Sequence, residues 1–196
     1  MRSLILASIF LILISGRGVA LEPYKREVNP GIETYVHDYI LSKSWHVDCT
    51  QITSGRSSGT KWCTLNPTTG ERSARTGIYK KISGPKLEIW KRKDRPPLLQ
   101  LDLKLQGPTG TRMTVMAGKT HLTTIQDSGG KDWRWKNEDA EKIVRELLKG
   151  ERVFWELTWP NGRSQSGEVS SIGFLEAWTH SVAFVGRDPL ESPATN

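Results

Sequence analysis

Cys49 and Cys63 are the residues whose chemistry this sequence constrains most closely. They could form a disulfide, remain as two buried free thiols, or supply half of a metal site. A metal site would need more ligands at suitable spacing, whereas the histidines are scattered along the chain, at His37, His46, His121 and His180. A Cys49–Cys63 bridge would close a loop of about 15 residues and stabilise the fold by about 3 kcal/mol. We therefore predict the disulfide, and a thiol titration distinguishes it from both alternatives.

No group of residues has the spacing of a known catalytic site. The motif nearest to a serine nucleophile, Ser54-Gly-Arg-Ser-Ser-Gly59, lacks the Gly-x-Ser-x-Gly spacing and the strand-to-helix setting, so a flexible loop is predicted there. Carboxylates for acid–base catalysis could come from Asp102, Glu156 and Glu168, but each falls on the outward side of a predicted strand, where solvated charge is the ordinary role. The sequence therefore predicts no enzyme activity, no metal site and no cofactor.

A basic segment beside an aromatic residue is the first candidate binding site. It contains Trp90, Lys91, Arg92 and Lys93, and aromatic and basic side chains together can bind single-stranded nucleic acid or an anionic glycan. Lysines also protect strand edges from unwanted pairing, so a solvated strand edge is the alternative. A second candidate is Arg56, in the polar loop of residues 51–60 between the cysteines.

Trp133 and Trp135 are the third candidate. Residues two apart share one face of a strand. The pair is therefore either buried in the core or, if exposed, part of a recognition patch.

The first 20 residues predict a secretory signal peptide. Arg2 gives a positive start, and residues 4–15 form an apolar run of about a dozen residues, which is short for a membrane span. Small residues at Gly18 and Ala20 suit signal peptidase, while Arg17 argues against the alternative of an uncleaved anchor. We predict cleavage after Ala20 and a periplasmic or secreted chain with no integral membrane segment. An exported chain meets conditions in which disulfides persist.

The net charge fits an anionic neighbour but does not require one. Loss of Arg2 and Arg17 with the signal lowers the formal charge from +7 to +5. That charge suits lipopolysaccharide, phospholipid headgroups or nucleic acid, and an ordinary solvated basic surface is the alternative. Nucleic acid is not an expected partner for an exported protein.

The elements that must position these residues are mostly strands. Leucines alternate with polar residues over 99–105, and Asn161-Gly162 predicts a hairpin turn. Residues 33–42 favour a short amphipathic helix, and the run from Asn66 to Gly70 predicts a turn.

One longer helix is predicted late in the chain. Asn137 is its expected cap, acidic residues occupy its first turn, and Lys149 and Gly150 end it. Ser171 could cap a further short helical turn through Trp178. With about nine short strands, the fold class is mainly β: an antiparallel β-sandwich or partial barrel with one α-helix packed on the sheet.

The chain resembles the invasion-associated locus B family of exported bacterial proteins. Three motifs carry the resemblance, together with the alternating leucines between them: Trp45-His-Val-Asp-Cys49 followed by Cys63, Leu147-Leu-Lys-Gly150, and Ser170-Ser-Ile-Gly-Phe-Leu-Glu-Ala177. The family's later cysteine pair is absent here, so the resemblance implies a β-rich exported protein without a second bridge. It carries over no enzymatic residues.

These observations divide the chain into four parts. Residues 1–20 are the signal peptide, 21–43 an N-terminal arm, 44–185 the β-rich domain that resembles the family, and 186–196 a disordered tail. The expected function is binding in the bacterial envelope, with an envelope or host protein or an anionic glycan as partner. The alternatives are a structural subunit of an envelope assembly, or a hydrolase of envelope polymers.

Overall fold

The computed structural model describes residues 24–28, 33–72, 79–81, 86–91, 98–103, 108–125 and 133–191. The predicted signal peptide, Arg92 and Lys93 lie outside these residues, as do the last five residues of the predicted disordered tail. Within the described part of the chain, no helix has the length and apolar content needed to cross a membrane.

Twelve strands and two helices form the described fold. In chain order they are β1 (Tyr24–Val28), β2 (Glu33–Ser42), β3 (Trp45–Ile52), β4 (Lys61–Arg72), β5 (Tyr79–Lys81), β6 (Lys86–Lys91), β7 (Leu98–Leu103), β8 (Arg112–Ala117), β9 (Thr120–Ile125), β10 (Trp133–Lys136), α1 (Glu138–Leu148), β11 (Val153–Thr158), β12 (Ser164–Val169) and α2 (Phe174–Val185).

The strands form two antiparallel sheets. The larger, eight-stranded sheet has the order β1-β2-β3-β4-β6-β7-β10, with β5 paired to β4. The smaller, four-stranded sheet has the order β12-β11-β8-β9. The described strands close no barrel, so the predicted mainly β, antiparallel class is confirmed with open sheets.

The helices join the two sheets into one core. α2 packs against β2, β3, β4 and β6, while α1 contacts β7 and β10 of the larger sheet and β8 and β9 of the smaller one. Large side chains from all these layers are buried together, among them Trp45, Leu65, Met113, Ile143, Trp155 and Phe174. Burial of apolar surface between sheets and helices is therefore the main stabilising contribution.

Helix α1 matches its sequence prediction in position. Ala140, Ile143, Val144 and Leu147 form its buried stripe, and the chain leaves the helix through Gly150 at φ +93°. The predicted cap is wrong in one respect, because Asn137 precedes the helix but its side chain makes no capping hydrogen bond. Acidic residues in the first turn still favour the positive end of the helix dipole.

Helix α2 is longer than the short turn predicted from Ser171. It runs from Phe174 to Val185 and begins after Gly173, whose φ of +85° is left-handed. Apolar side chains on its inner face, including Phe174 and Trp178, are fully enclosed by the sheet, so tertiary packing extends the helix. Beyond it, Leu190 packs against the core, so this part of the expected disordered tail is in contact with the fold.

Two local predictions are wrong for reasons of strand pairing. Residues 33–42 form β2 and not a helix, because the segment pairs along its length with β3 and also with β1. The predicted turn from Asn66 to Gly70 lies inside β4. Pairing with β6 ends at Leu65, so Pro67 sits where no N–H is needed on that side.

The cysteines occupy directly opposite positions on neighbouring strands. Cys49 on β3 pairs with Cys63 on β4, and the two sulfurs are bonded, which confirms the predicted disulfide. Both residues are fully buried, and the Ser181 carbonyl oxygen of α2 lies 3.7 Å from Cys63 Sγ. The bridge therefore lies beneath the helix, inside the core.

Candidate functional site

The smaller sheet has one buried face and one exposed face. Alternate residues on β11, Val153, Trp155 and Leu157, point into the core, as Met113, Val115 and Ala117 do on β8. The remaining positions of β11 and their partners on β8, β9 and β12 point outwards. We call this surface the outer face.

An apolar ridge crosses the outer face. Phe154 on β11 pairs with Met116 on β8, and their side chains are 45% and 37% exposed. The next row of the same face is polar: Glu156 pairs with Thr114 on β8 and with Ser166 on β12. We call Phe154 and Met116 the Phe154 ridge.

The ridge separates two shallow, open concavities. The first, of about 470 Å³, lies between the ridge and the next row and is lined by Glu156, Ser166 and Glu168 in addition to the ridge. The second, of about 510 Å³, lies beyond the ridge and is lined by Glu151 and Arg152 and by the turns at Gly118 and Gly150. Both volumes fall within the range of small-ligand sites.

Carboxylates dominate the polar groups around the ridge. Glu168 Oε1 accepts a hydrogen bond from Arg152 Nη1 at 2.8 Å, which neutralises one of them. Glu151 and Glu156 form no ion pair with another residue of the described chain. The local field around the ridge therefore favours neutral or positively charged groups over anions.

Gly167 is part of the lining of the first concavity. It pairs with Trp155, and the indole fills the space that a side chain at this position would occupy. Trp155 is buried, at 2% exposure, and its indole N–H has no hydrogen-bond partner among the described residues. Phe154 and Glu168, which precede Trp155 and follow Gly167 in the chain, form the neighbouring outward-facing pair.

In the part of the chain that the structure describes, the other histidines and carboxylates do not converge on a site. His180 Nε2 on α2 lies 3.1 Å from Asp38 Oδ2 on β2, in a geometry that makes no hydrogen bond. His46 Nε2 lies 3.4 Å from Asp48 Oδ1 on β3. Among the described residues, no group of three or more His, Cys, Asp or Glu side chains could hold a metal ion.

One clear pKa shift lies on α1, away from the ridge. The pKa of Lys142 is raised, first by its hydrogen bond to Asp139 and then by its contact with Glu138. This side chain is exposed and belongs to an ordinary surface charge network of the helix.

The candidates from the sequence are dispersed. Arg56 is exposed in the loop between β3 and β4, which is closed by backbone hydrogen bonds from Ile52 to Thr60 and from Gly59 to Ile52. Trp90 and Lys91 lie on β6, opposite Trp62 and Lys61. The structure does not describe the side chains of Trp90 and Lys91, and Arg92 and Lys93 lie outside the described residues.

For Trp133 and Trp135, burial in the core is the correct one of the two alternatives. Both are buried, at 4% and 7% exposure, against α1. In this structure they leave no exposed aromatic patch on β10.

The carboxylates considered for catalysis separate into two groups. Glu156 and Glu168 line the same concavity, whereas Asp102 lies on β7 of the larger sheet, opposite Lys86 and Arg134.

The Phe154 ridge was not predicted from the sequence. The available signal was an aromatic residue on the polar side of an alternating strand, at Phe154 between Val153 and Trp155.

Comparison of the chain with models of known protein families, with curated proteins and with solved structures gives no match.

Proposed function

We propose that this chain is an exported binding protein of the bacterial envelope and that the outer face of its smaller sheet is the binding surface. Residues 1–20 have the pattern of a signal peptide, and the buried Cys49–Cys63 disulfide supports an oxidising compartment. The resemblance to the invasion-associated locus B family supports the same location.

The observation that carries the proposal is the exposed Phe154 ridge between two concavities. Phe154 and Met116 lie next to each other and are both exposed, and contiguous exposed apolar surface is typical of a contact site. The polar row beside the ridge supplies hydrogen-bonding groups that could orient a ligand.

The test is cosedimentation of the purified mature chain with isolated bacterial envelopes. We expect the wild-type chain to sediment with envelopes and Phe154→Ala to lose most of that binding. Leu175→Ala is the matched control, because Leu175 is also a large exposed apolar residue, at 64%, but lies on α2. Equal sedimentation of all three proteins would show that the outer face is not the binding surface.

A second candidate is hydrolysis of an envelope polymer by Glu156 and Glu168, which line one concavity. Paired carboxylates are the usual catalytic groups of glycoside hydrolysis. Against it, Glu168 is already held by Arg152 at 2.8 Å on an exposed surface. New reducing ends released from peptidoglycan by the wild-type chain, and lost in Glu156→Gln, would support hydrolysis; no release would leave binding as the function.

A further inference from the structure

We propose that the outer face binds a hydroxyl-rich glycan without anionic groups, which crosses the Phe154 ridge and occupies the concavities on both sides. This inference rests on the proposed function and specifies the ligand of the same surface.

The shape of the surface indicates an extended, ring-bearing ligand. The ridge consists of two side chains, the aromatic ring of Phe154 and the thioether chain of Met116, and an open concavity lies on each side of it. A ring-sized apolar face can pack on Phe154 while the neighbouring units of the same chain fill the two concavities. A compact ligand would use one concavity and leave the other empty.

The polar groups indicate many hydroxyls. Glu156 and Glu168 accept hydrogen bonds only, whereas the hydroxyl of Ser166 can donate and accept. A polyol supplies donors to both carboxylates and needs no compensating charge. Glycan hydroxyls therefore match this set of groups better than a carbonyl-rich or phosphate-rich ligand does.

The charge of the lining disfavours anionic ligands. Around the two concavities stand the carboxylates of Glu151, Glu156 and Glu168, with Arg152 as the facing cation, and Arg152 is paired to Glu168. An anionic sugar on the ridge would meet two carboxylates with no ion pair of their own within the described chain. The anionic glycan expected from the basic segment at residues 90–93 would thus require a different surface.

A protein partner fits the same surface less well. Stable protein interfaces bury about 800 Å² on each side around an apolar centre. Here the apolar part is a ridge, and the carboxylates beside it would be desolvated by a flat protein surface without a matching cation.

Titration of the purified chain with oligosaccharides tests the proposal. The probes are neutral tetramers of β-1,4-glucose, N-acetylglucosamine and mannose, an amine-bearing glucosamine tetramer, and an anionic heparin tetrasaccharide. We expect saturable binding of at least one neutral tetramer, with heparin at least about tenfold weaker. Heparin as the tightest ligand, or no binding of any tetramer that lacks anionic groups, would overturn the proposal.

Three variants of Phe154 distinguish ring stacking from general apolar contact. Phe154→Ala should weaken binding by about tenfold and Phe154→Leu, which keeps apolar area without the ring, should weaken it nearly as much. Phe154→Tyr should retain binding. Because Phe154 is about half exposed, these variants should still unfold cooperatively, with a melting temperature lowered by a few degrees at most, and Leu175→Ala should bind as the wild type does.

Treated envelopes separate failure of this inference from failure of the proposed function. Periodate, which cleaves vicinal diols, should abolish Phe154-dependent sedimentation when the glycan is built of glucose or mannose. Chitinase or lysozyme should abolish it when the glycan is built of β-1,4-linked N-acetylglucosamine, which has no internal vicinal diol, and protease should leave sedimentation unchanged in both cases. The opposite pattern would identify a protein partner: the binding function would stand and the glycan inference would fall.

Discussion

The indole of Trp155 lies over Gly167, so close that a Cβ added to the glycine would stand 2.6 Å from Trp155 Cε2 and Cζ2. In open space, alanine would favour the strand by about 0.5–1 kcal/mol over glycine. Here the overlap reverses the sign, and we expect Gly167→Ala to lower the free energy of unfolding by about 1–3 kcal/mol. Denaturant unfolding measures the change.

Controls for Gly167→Ala lie on the same pair of strands. Ser166→Ala, at an exposed neighbouring position, should change stability by less than about 0.5 kcal/mol. The Trp155→Phe/Gly167→Ala double variant should lose less stability than the two single variants lose in sum, because the smaller ring leaves room for the methyl group. A stabilised Gly167→Ala variant would show that the indole does not lie over this glycine.

Two glycines with the same backbone conformation should respond differently to alanine. Gly173 and Gly186 flank α2 at φ +85° and +87°. An added Cβ at Gly173 would overlap the Ser42 carbonyl oxygen, whereas no atom of the described chain lies within 4 Å of one at Gly186. Gly186→Ala should cost about 1–2 kcal/mol for the left-handed conformation alone. Gly173→Ala should cost about 1–3 kcal/mol more, and equal losses in thermal unfolding would contradict the close approach.

Lys61 should stabilise the end of α2. Its Nζ donates a hydrogen bond to the Phe184 carbonyl oxygen at 2.9 Å and lies 5.5 Å from the centre of the Phe184 ring. Lys61→Met keeps the aliphatic stem and removes both contacts, so we expect a loss of about 1–2 kcal/mol in unfolding free energy. Lys119→Met, in the exposed turn between β8 and β9, is the matched control and should have little effect.

Loss of the disulfide should destabilise the fold without abolishing it. Cys49 and Cys63 are 14 residues apart in sequence, and on the chain-entropy account such a bridge contributes about 3 kcal/mol. Reductant should therefore lower the stability of the wild-type chain and leave Cys49→Ala/Cys63→Ala unchanged. Two titratable thiols in the native, unreduced protein would contradict the bridge.

The sequence correctly predicts those elements whose conformation depends mainly on residues within the element itself. Helix α1 has an apolar stripe and a glycine stop, and the β11–β12 hairpin has its Asn161-Gly162 turn, so both appear where they are expected. The segment of β2 has apolar residues at helical spacing, and its strand conformation comes from the partner β3, which lies later in the chain.

The candidate site depends on the same non-local information. Phe154 and Met116 are 38 positions apart, and only the pairing of β8 with β11 brings them together. The sequence marks Phe154 only by its outward position between Val153 and Trp155, and it gives Met116 no comparable mark. Trp133 and Trp135 were the more conspicuous aromatic pair, but their burial is decided by α1, which packs across β10.

The Cys49–Cys63 bridge is covered by a helix that begins more than 100 residues later in the chain. Ser181 lies against Cys63, and α2 is tied down at its start by the hydrogen bond from Ser42 Oγ to the Gly173 carbonyl oxygen and at its end by Lys61. A reductant must wait for α2 to leave the sheet before it can attack the sulfurs. The rate of reduction under native conditions therefore reports how often this helix detaches. The disulfide is thus an internal probe of local unfolding at that end of the fold.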